Sequence, residues 1–189
     1  MTIARPEEPV GGNVMVEKYV SELLAREHAL VGGGPEEVTF ATSVPLPVYT
    51  VNFSDLKERD FLSKTFQIGW RYLIESGGED LVADIDVNKD GKSQFGALTR
   101  GEYVDRLAQV TSLAEKLFGA SKEKFLARIL EIPPLYLVAV WMHRDEKTLT
   151  EDRFLPALLG SEPVASEAEK ESAFVEKVIA LAKQREAGE

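Results

Sequence analysis

Hydrophobic positions along this chain recur with two different periods. From Asn13, the residues Val16, Tyr19, Val20, Leu23 and Leu30 return at three- and four-residue spacing, with Glu17, Lys18, Glu22 and Arg26 elsewhere. That is the stripe of an amphipathic helix. Gly32-Gly33-Gly34-Pro35 stops it. Val38, Phe40, Thr42 and Val44 then alternate with more polar positions, the period of a strand. Proline cannot donate to a ladder, so Pro45 and Pro47 break that strand, and residues 48–53 predict a second one. The two are expected to form a hairpin around Pro45-Leu46-Pro47.

Ser54 is the expected N-cap of a long central helix reaching Ser76. Leu62, Phe66, Gly69, Trp70 and Leu73 mark its stripe, widened by Phe61, Ile68 and Tyr72, and Gly77-Gly78 ends it. Leu81, Ala83, Ile85 and Val87 alternate with Val82, Asp84, Asp86 and Asn88, which predicts a half-buried strand. Asn88-Lys89-Asp90-Gly91 is turn chemistry, and Phe95 and Ala97 continue as the return strand.

Thr99 and Glu102 make a capping box before a helix carrying Tyr103, Val104, Leu107, Val110, Ala114, Leu117 and Phe118. Ser121 caps a short helix with Phe125, Leu126, Ile129 and Leu130. Pro134 opens an apolar helix to Arg144, and Thr150 caps another over residues 151–159. Ser166 with Glu169 forms a second capping box before a terminal helix bearing Phe174, Val175, Val178, Ile179 and Ala182.

The expectation is an α+β fold: an antiparallel sheet of about four strands in two hairpins, packed with five to six helices concentrated in the C-terminal half. Residues 1–12, with Pro6, Pro9, Gly11 and Gly12, read as a flexible leader before a single domain over 13–189.

Composition narrows the classes of function. The 189 residues contain no cysteine, which removes disulfides, thiolate metal sites and cysteine nucleophiles. Residues 1–6 carry no apolar core of a signal peptide, and the longest apolar run, 132–142, is shorter than the roughly 18 residues of a membrane span. The expected location is the cytoplasm. With 22 Lys and Arg against 32 Asp and Glu, the net charge is −10. That field opposes nucleic acid and anionic membranes, and neither is expected as a partner.

Several strings carry candidate chemistry. Asp86-Val87-Asn88-Lys89-Asp90-Gly91 matches the opening of a calcium loop, where oxygens at alternate positions face the ion. Counting from Asp86, position twelve is Ala97, where a bidentate Glu belongs, and a strand precedes the loop instead of a helix. A metal-free hairpin turn is expected; Asp84, Asp86, Asn88 and Asp90 are the candidate cation ligands of an alternative reading. His28 and His143 both fall at expected helix C-termini, where an imidazole complements the dipole.

Gly32-Gly33-Gly34-Pro35 lacks the Lys-Ser/Thr of a phosphate loop, and Gly91-Lys92-Ser93-Gln94-Phe95-Gly96 lacks the strand-to-helix setting of a nucleophile elbow. The apolar run 132–142 predicts core burial, with Tyr136, Trp141 and Met142 as candidate interface residues. No cofactor is implied. The leading functional expectation is a non-catalytic binding or protein-interaction module, with a protein partner or a homodimer. A hydrolase using Asp/Glu with or without His143, and a divalent-cation binder at the 84–90 turn, are the alternatives.

Overall fold

The computed structural model describes residues 3–4, 9–30, 39–88, 90–121, 123–144, 151–160 and 162–188. These form one mixed sheet of ten strands. In chain order they are β1 (Ile3–Ala4), β2 (Ala41–Thr42), β3 (Leu46–Thr50), β4 (Phe66–Ser76), β5 (Glu79–Val87), β6 (Ser93–Arg100), β7 (Phe125–Ile132), β8 (Leu137–Arg144), β9 (Arg153–Leu159) and β10 (Glu169–Lys170). Three α-helices flank the sheet: α1 (Gly12–Leu30), α2 (Glu102–Phe118) and α3 (Glu171–Ala187). The spatial order is β10-β9-β8-β7-β3-β4-β5-β6, with β1 beside β7 and β2 beside β4. β1 and β3 run parallel to β7, and every other pair is antiparallel.

The four-strand sheet with five to six helices is therefore overturned: there are fewer helices and a much larger sheet, in which a parallel β3–β7 seam joins two antiparallel halves. Four segments expected as helices contain strands: the 54–76 region carries two 3₁₀ turns (Phe53–Lys57 and Phe61–Lys64) and then β4, while β7, β8 and β9 replace the other three. The cause is common to all of them. Helices cover both faces of this sheet, so its inner strands bury successive residues instead of alternate ones. A strand buried on both faces reads as a continuous apolar run, and its periodicity cannot be told from that of a buried helix.

β8 shows the mechanism most clearly. Val138, Val140 and Met142 pack with Val104, Leu107 and Val110 of α2, while Leu137, Ala139 and Trp141 pack with Phe174, Val175 and Val178 of α3. Pro133-Pro134 opens only a single 3₁₀ turn (Pro133–Leu135), which Tyr136 closes in the left-handed region at φ 49°. Pro156 is tolerated in β9 at a register shift, opposite Ala139.

Two smaller expectations also fall. β2 and β3 do not pair with each other: both lie along β4, with Thr42 opposite Ile74 and Leu46 opposite Arg71, so the chain at Pro45 continues along β4 instead of turning a hairpin. Neither capping box forms. Thr99 sits in β6 opposite Val82, Gly101 at φ 101° caps α2, and Lys170 caps α3. Thr150 lies outside the described residues.

One face of the sheet belongs to α2. On the other, α1 covers β4 and β5 through Val16, Val20 and Leu24, and α3 with the 3₁₀ turns covers β7, β8 and β9. None of the described helices is long and apolar enough to cross a membrane.

Trp141 is 1% exposed and lies under α3, packed edge-on to Tyr49 and stacked on Phe154, with ring centroids 5.8 Å away in each case. Trp141→Ala is expected to cost about 3–5 kcal/mol through the lost transfer energy and the cavity. Chemical denaturation at fixed protein concentration checks this, and a loss under about 1 kcal/mol would contradict the packing described.

Candidate functional site

Between α1 and α3 the sheet face is left open over β3, the first half of β7 and the start of β4. The opening is a cleft of about 890 Å³, within the size range of ligand sites. Its floor is Pro47 and Tyr49 of β3, Trp70 of β4, and Leu126 and Arg128 of β7; Pro9, Val10 and Met15 wall one side, and Gly91, Lys92 and Ser93 the other. Val10 is 95% exposed.

Strand alternation and cross-strand pairing set Arg128 in this floor. It lies opposite Trp141 in the β7–β8 ladder, and its guanidinium rests 4.9 Å from the Tyr49 ring and 5.0 Å from the Trp141 ring. Such cation–π contacts hold a cation in place without neutralising it. Lys92 follows a turn fixed by Asn88, whose Oδ1 accepts the N–H groups of Asp90 and Lys92, with Gly91 at φ 74°. No acidic residue is among the described residues lining the cleft. Arg71, Arg100, Arg106, Arg144, Lys64 and Lys177 each reach a carboxylate, but among the described residues Arg128 and Lys92 pair with none. In a chain of net charge −10, an apolar cleft whose described lining carries two cations and no acid is a local reversal of sign.

Two polar networks lie in the core. On the α2 face, buried Arg71 donates from Nε to Asp84 Oδ1 at 2.6 Å, reaches Glu131 at 2.9 Å and bonds the Tyr103 hydroxyl. Burial disfavours its charge, but the hydrogen bond and charge of Asp84, then the charges of Tyr103 and Glu131, outweigh that and hold Arg71 cationic beyond its ordinary range. Burial lifts the Tyr103 phenol well above its usual value, although Arg71 pulls it down.

The second network surrounds fully buried Asp152. Its Oδ2 accepts the Trp141 indole N–H at 2.6 Å and lies 3.0 Å from His143 Nδ1, and its Oδ1 accepts the Arg144 backbone N–H at 3.0 Å. Glu171, at the start of α3, has its carboxyl raised by burial and then by the Asp152 charge.

The sequence-derived candidates are thus dispersed. Asp84 is paired to Arg71, Asn88 serves the turn, and Asp86 and Asp90 are exposed. Among the described residues no three His or acidic side chains converge to hold a metal ion. His143 ends a strand, not a helix, so the dipole argument does not apply to it; it is held by Asp152 and does not line the large cleft. His28 lies in the last turn of α1, as expected. Trp141 and Met142 are buried in the core, and Tyr136 is 69% exposed.

Sequence reading passes over Arg128, Lys92, Tyr49 and Trp70. The available signal is Arg128 itself, the one charge inside Phe125-Leu126-Ala127-Arg128-Ile129-Leu130. A lone arginine in a run of core residues needs a reason. Comparison with protein-family models, with curated proteins and with solved structures gives no match.

Arg71→Met leaves Asp84 and Glu131 without their counter-charge and is expected to destabilise by about 3 kcal/mol at pH 7. Urea unfolding of both proteins at pH 7 checks this; a difference under about 1 kcal/mol would contradict it.

Proposed function

We propose that this chain is a binding module for a protein partner, and that the cleft between α1 and the β5–β6 turn accepts an apolar segment bearing acidic side chains. The single observation behind the reading is the pairing of an apolar floor with Arg128 and Lys92, both without a carboxylate among the described residues. A half-buried guanidinium held over two rings favours a carboxylate, which it can meet with charge-assisted hydrogen bonds. The apolar floor supplies the area, and the two cations supply register. The same sign reversal steers an acidic segment to this face while the remaining acidic surface repels it.

On this reading the protein acts in the cytoplasm as one unit, with Pro9 and Val10 part of the cleft wall, and without a cofactor or nucleic acid. A hydrolytic reading has one observation in its favour: the buried Asp152 carboxylate orients the His143 imidazole, as acid–base catalysis requires. The same carboxylate accepts from Trp141 and from the Arg144 backbone, which a purely structural role explains equally well.

The test is fluorescence anisotropy of a labelled eight-residue peptide in which Leu, Val and Phe alternate with Glu and Asp. Binding is expected, with a loss of about tenfold in Arg128→Gln, one charge-assisted contact. A matching peptide with Lys at the acidic positions should not bind. Equal binding of both peptides, or no response to Arg128→Gln, would sink the reading.

A further inference from the structure

The cleft runs across the strands. At one end Ser93 and Val87 pair between β6 and β5, in the middle Trp70 and Pro47 pair between β4 and β3, and at the other end lie Leu126 and Arg128 of β7. From β6 to β7 the path crosses four strand spacings of about 4.8 Å, or about 19 Å. Its two ends differ. At the first, Gly91 and Lys92 are exposed and the path opens to solvent. At the second, the ladder passes from Arg128 to Trp141 and on to Phe154, which are 1% and 0% exposed beneath α3. The path is therefore roofed immediately beyond Arg128.

A blind end that holds a cation constrains the occupant. A chain that enters over Lys92 and crosses the floor cannot run straight on past Arg128. The neighbours of Arg128 on the floor are apolar. Val48 stands opposite Ile129, which sets Pro47 beside Arg128, and Leu126 precedes it on the same face of β7. An internal Asp or Glu brings its carboxylate there on a side chain, and so takes an apolar group off the floor. A C-terminal residue carries a carboxylate on its main chain and keeps its own side chain for Pro47 and Trp70. That charge lies along the chain axis, so it reaches the blind end whichever faces the side chains take.

We infer that the occupant is the C-terminal segment of a protein partner, with its terminal carboxylate on Arg128 and its last apolar side chains over Pro47, Tyr49 and Trp70. This rests on the binding reading above and names the part of the partner that binds. About six extended residues, at about 3.3 Å each, fill the path. Stacking on Tyr49 and Trp141 occupies the faces of the Arg128 guanidinium and leaves its N–H edge for a carboxylate, which such a fork meets with two parallel hydrogen bonds. No acid in the described lining repels the terminal charge. Lys92 stands where the partner's chain leaves the cleft, so it meets residues upstream of the terminus. Capture of a free C-terminus is a recurrent mode of peptide recognition.

The experiment is fluorescence anisotropy of the full chain with an N-terminally labelled hexapeptide, one Glu followed by Leu, Val and Phe, made with a free C-terminus and as the C-terminal amide. Amidation should weaken binding about tenfold or more, the loss of one charged contact. In Arg128→Gln the free acid should fall to the level of the amide. Arg128→Lys keeps the charge without the fork and should recover only part of the difference. Equal binding of acid and amide to the parent protein overturns the inference, and the cleft reading survives if the alternating acidic peptide still binds through Arg128. An amidation effect undiminished in Arg128→Gln places the carboxylate elsewhere and also overturns it. If neither hexapeptide nor the alternating peptide binds, both readings fall. Decanoate, an apolar chain ending in a carboxylate, is the competitor: tighter binding of decanoate than of the free-acid peptide makes a fatty acid the occupant and overturns the assignment to a polypeptide.

Discussion

The indole of Trp141 is the point at which the core and the candidate site meet. Its N–H is bonded to the fully buried carboxylate of Asp152 at 2.6 Å, one ring face is stacked toward Phe154, and the Arg128 guanidinium lies over it at 5.0 Å. A buried carboxylate is expensive unless its lone pairs are filled. Asp152 meets that condition with the indole, the His143 ring and the Arg144 backbone N–H. Because Asp152 immediately precedes β9, the same bonds tie the start of that strand to the end of β8. The outcome is a packed ring system beneath Arg128, the only charged side chain among the described residues of the cleft floor.

Two arginines of the sheet, Arg71 and Arg128, are held in opposite ways. Arg71 is surrounded by Asp84, Glu131 and Tyr103, so its charge is fully answered within the α2 face. Arg128 has rings beneath it and, among the described residues, no carboxylate beside it. Both arginines stand on central strands next to the parallel β3–β7 seam, one toward each face. The geometry that neutralises the first and exposes the second follows from which helix lies above: α2 reaches across its face, whereas α1 and α3 stop short of each other.

Amphipathic elements with one wet face were legible in the sequence. α1, α2, the body of α3 and β6 follow from periodicity, because each exposes one side to water; β5 is buried on both faces at Leu81, Val82 and Ala83 and keeps its alternation only through Asp84 and Asp86. The β5–β6 turn was legible from Asn88 and Gly91, whose side-chain oxygen and positive φ form it. β4, β7, β8 and β9 were not, since burial on two faces erases the alternation that marks a strand. Trp141 was correctly expected in the core, but in the wrong secondary structure. The candidate site was less legible still. Its residues lie on α1, β3, β4, β7 and one turn, and only the crossover that sets β3 beside β7 brings Tyr49 to Arg128.

The core holds Arg128 over Tyr49 and Trp141 as a fixed cation with no carboxylate beside it among the described residues. The most direct measurement is the arginine Nε–Hε spectrum of the protein by nuclear magnetic resonance, with Arg128→Lys to assign the signal. A guanidinium lying over Tyr49 and Trp141 should give a resolved resonance, displaced by ring currents from the solvent-exposed arginines, that moves when the alternating acidic peptide is added. An Arg128 signal at the position of a freely rotating arginine, unchanged by the peptide, would contradict the claim.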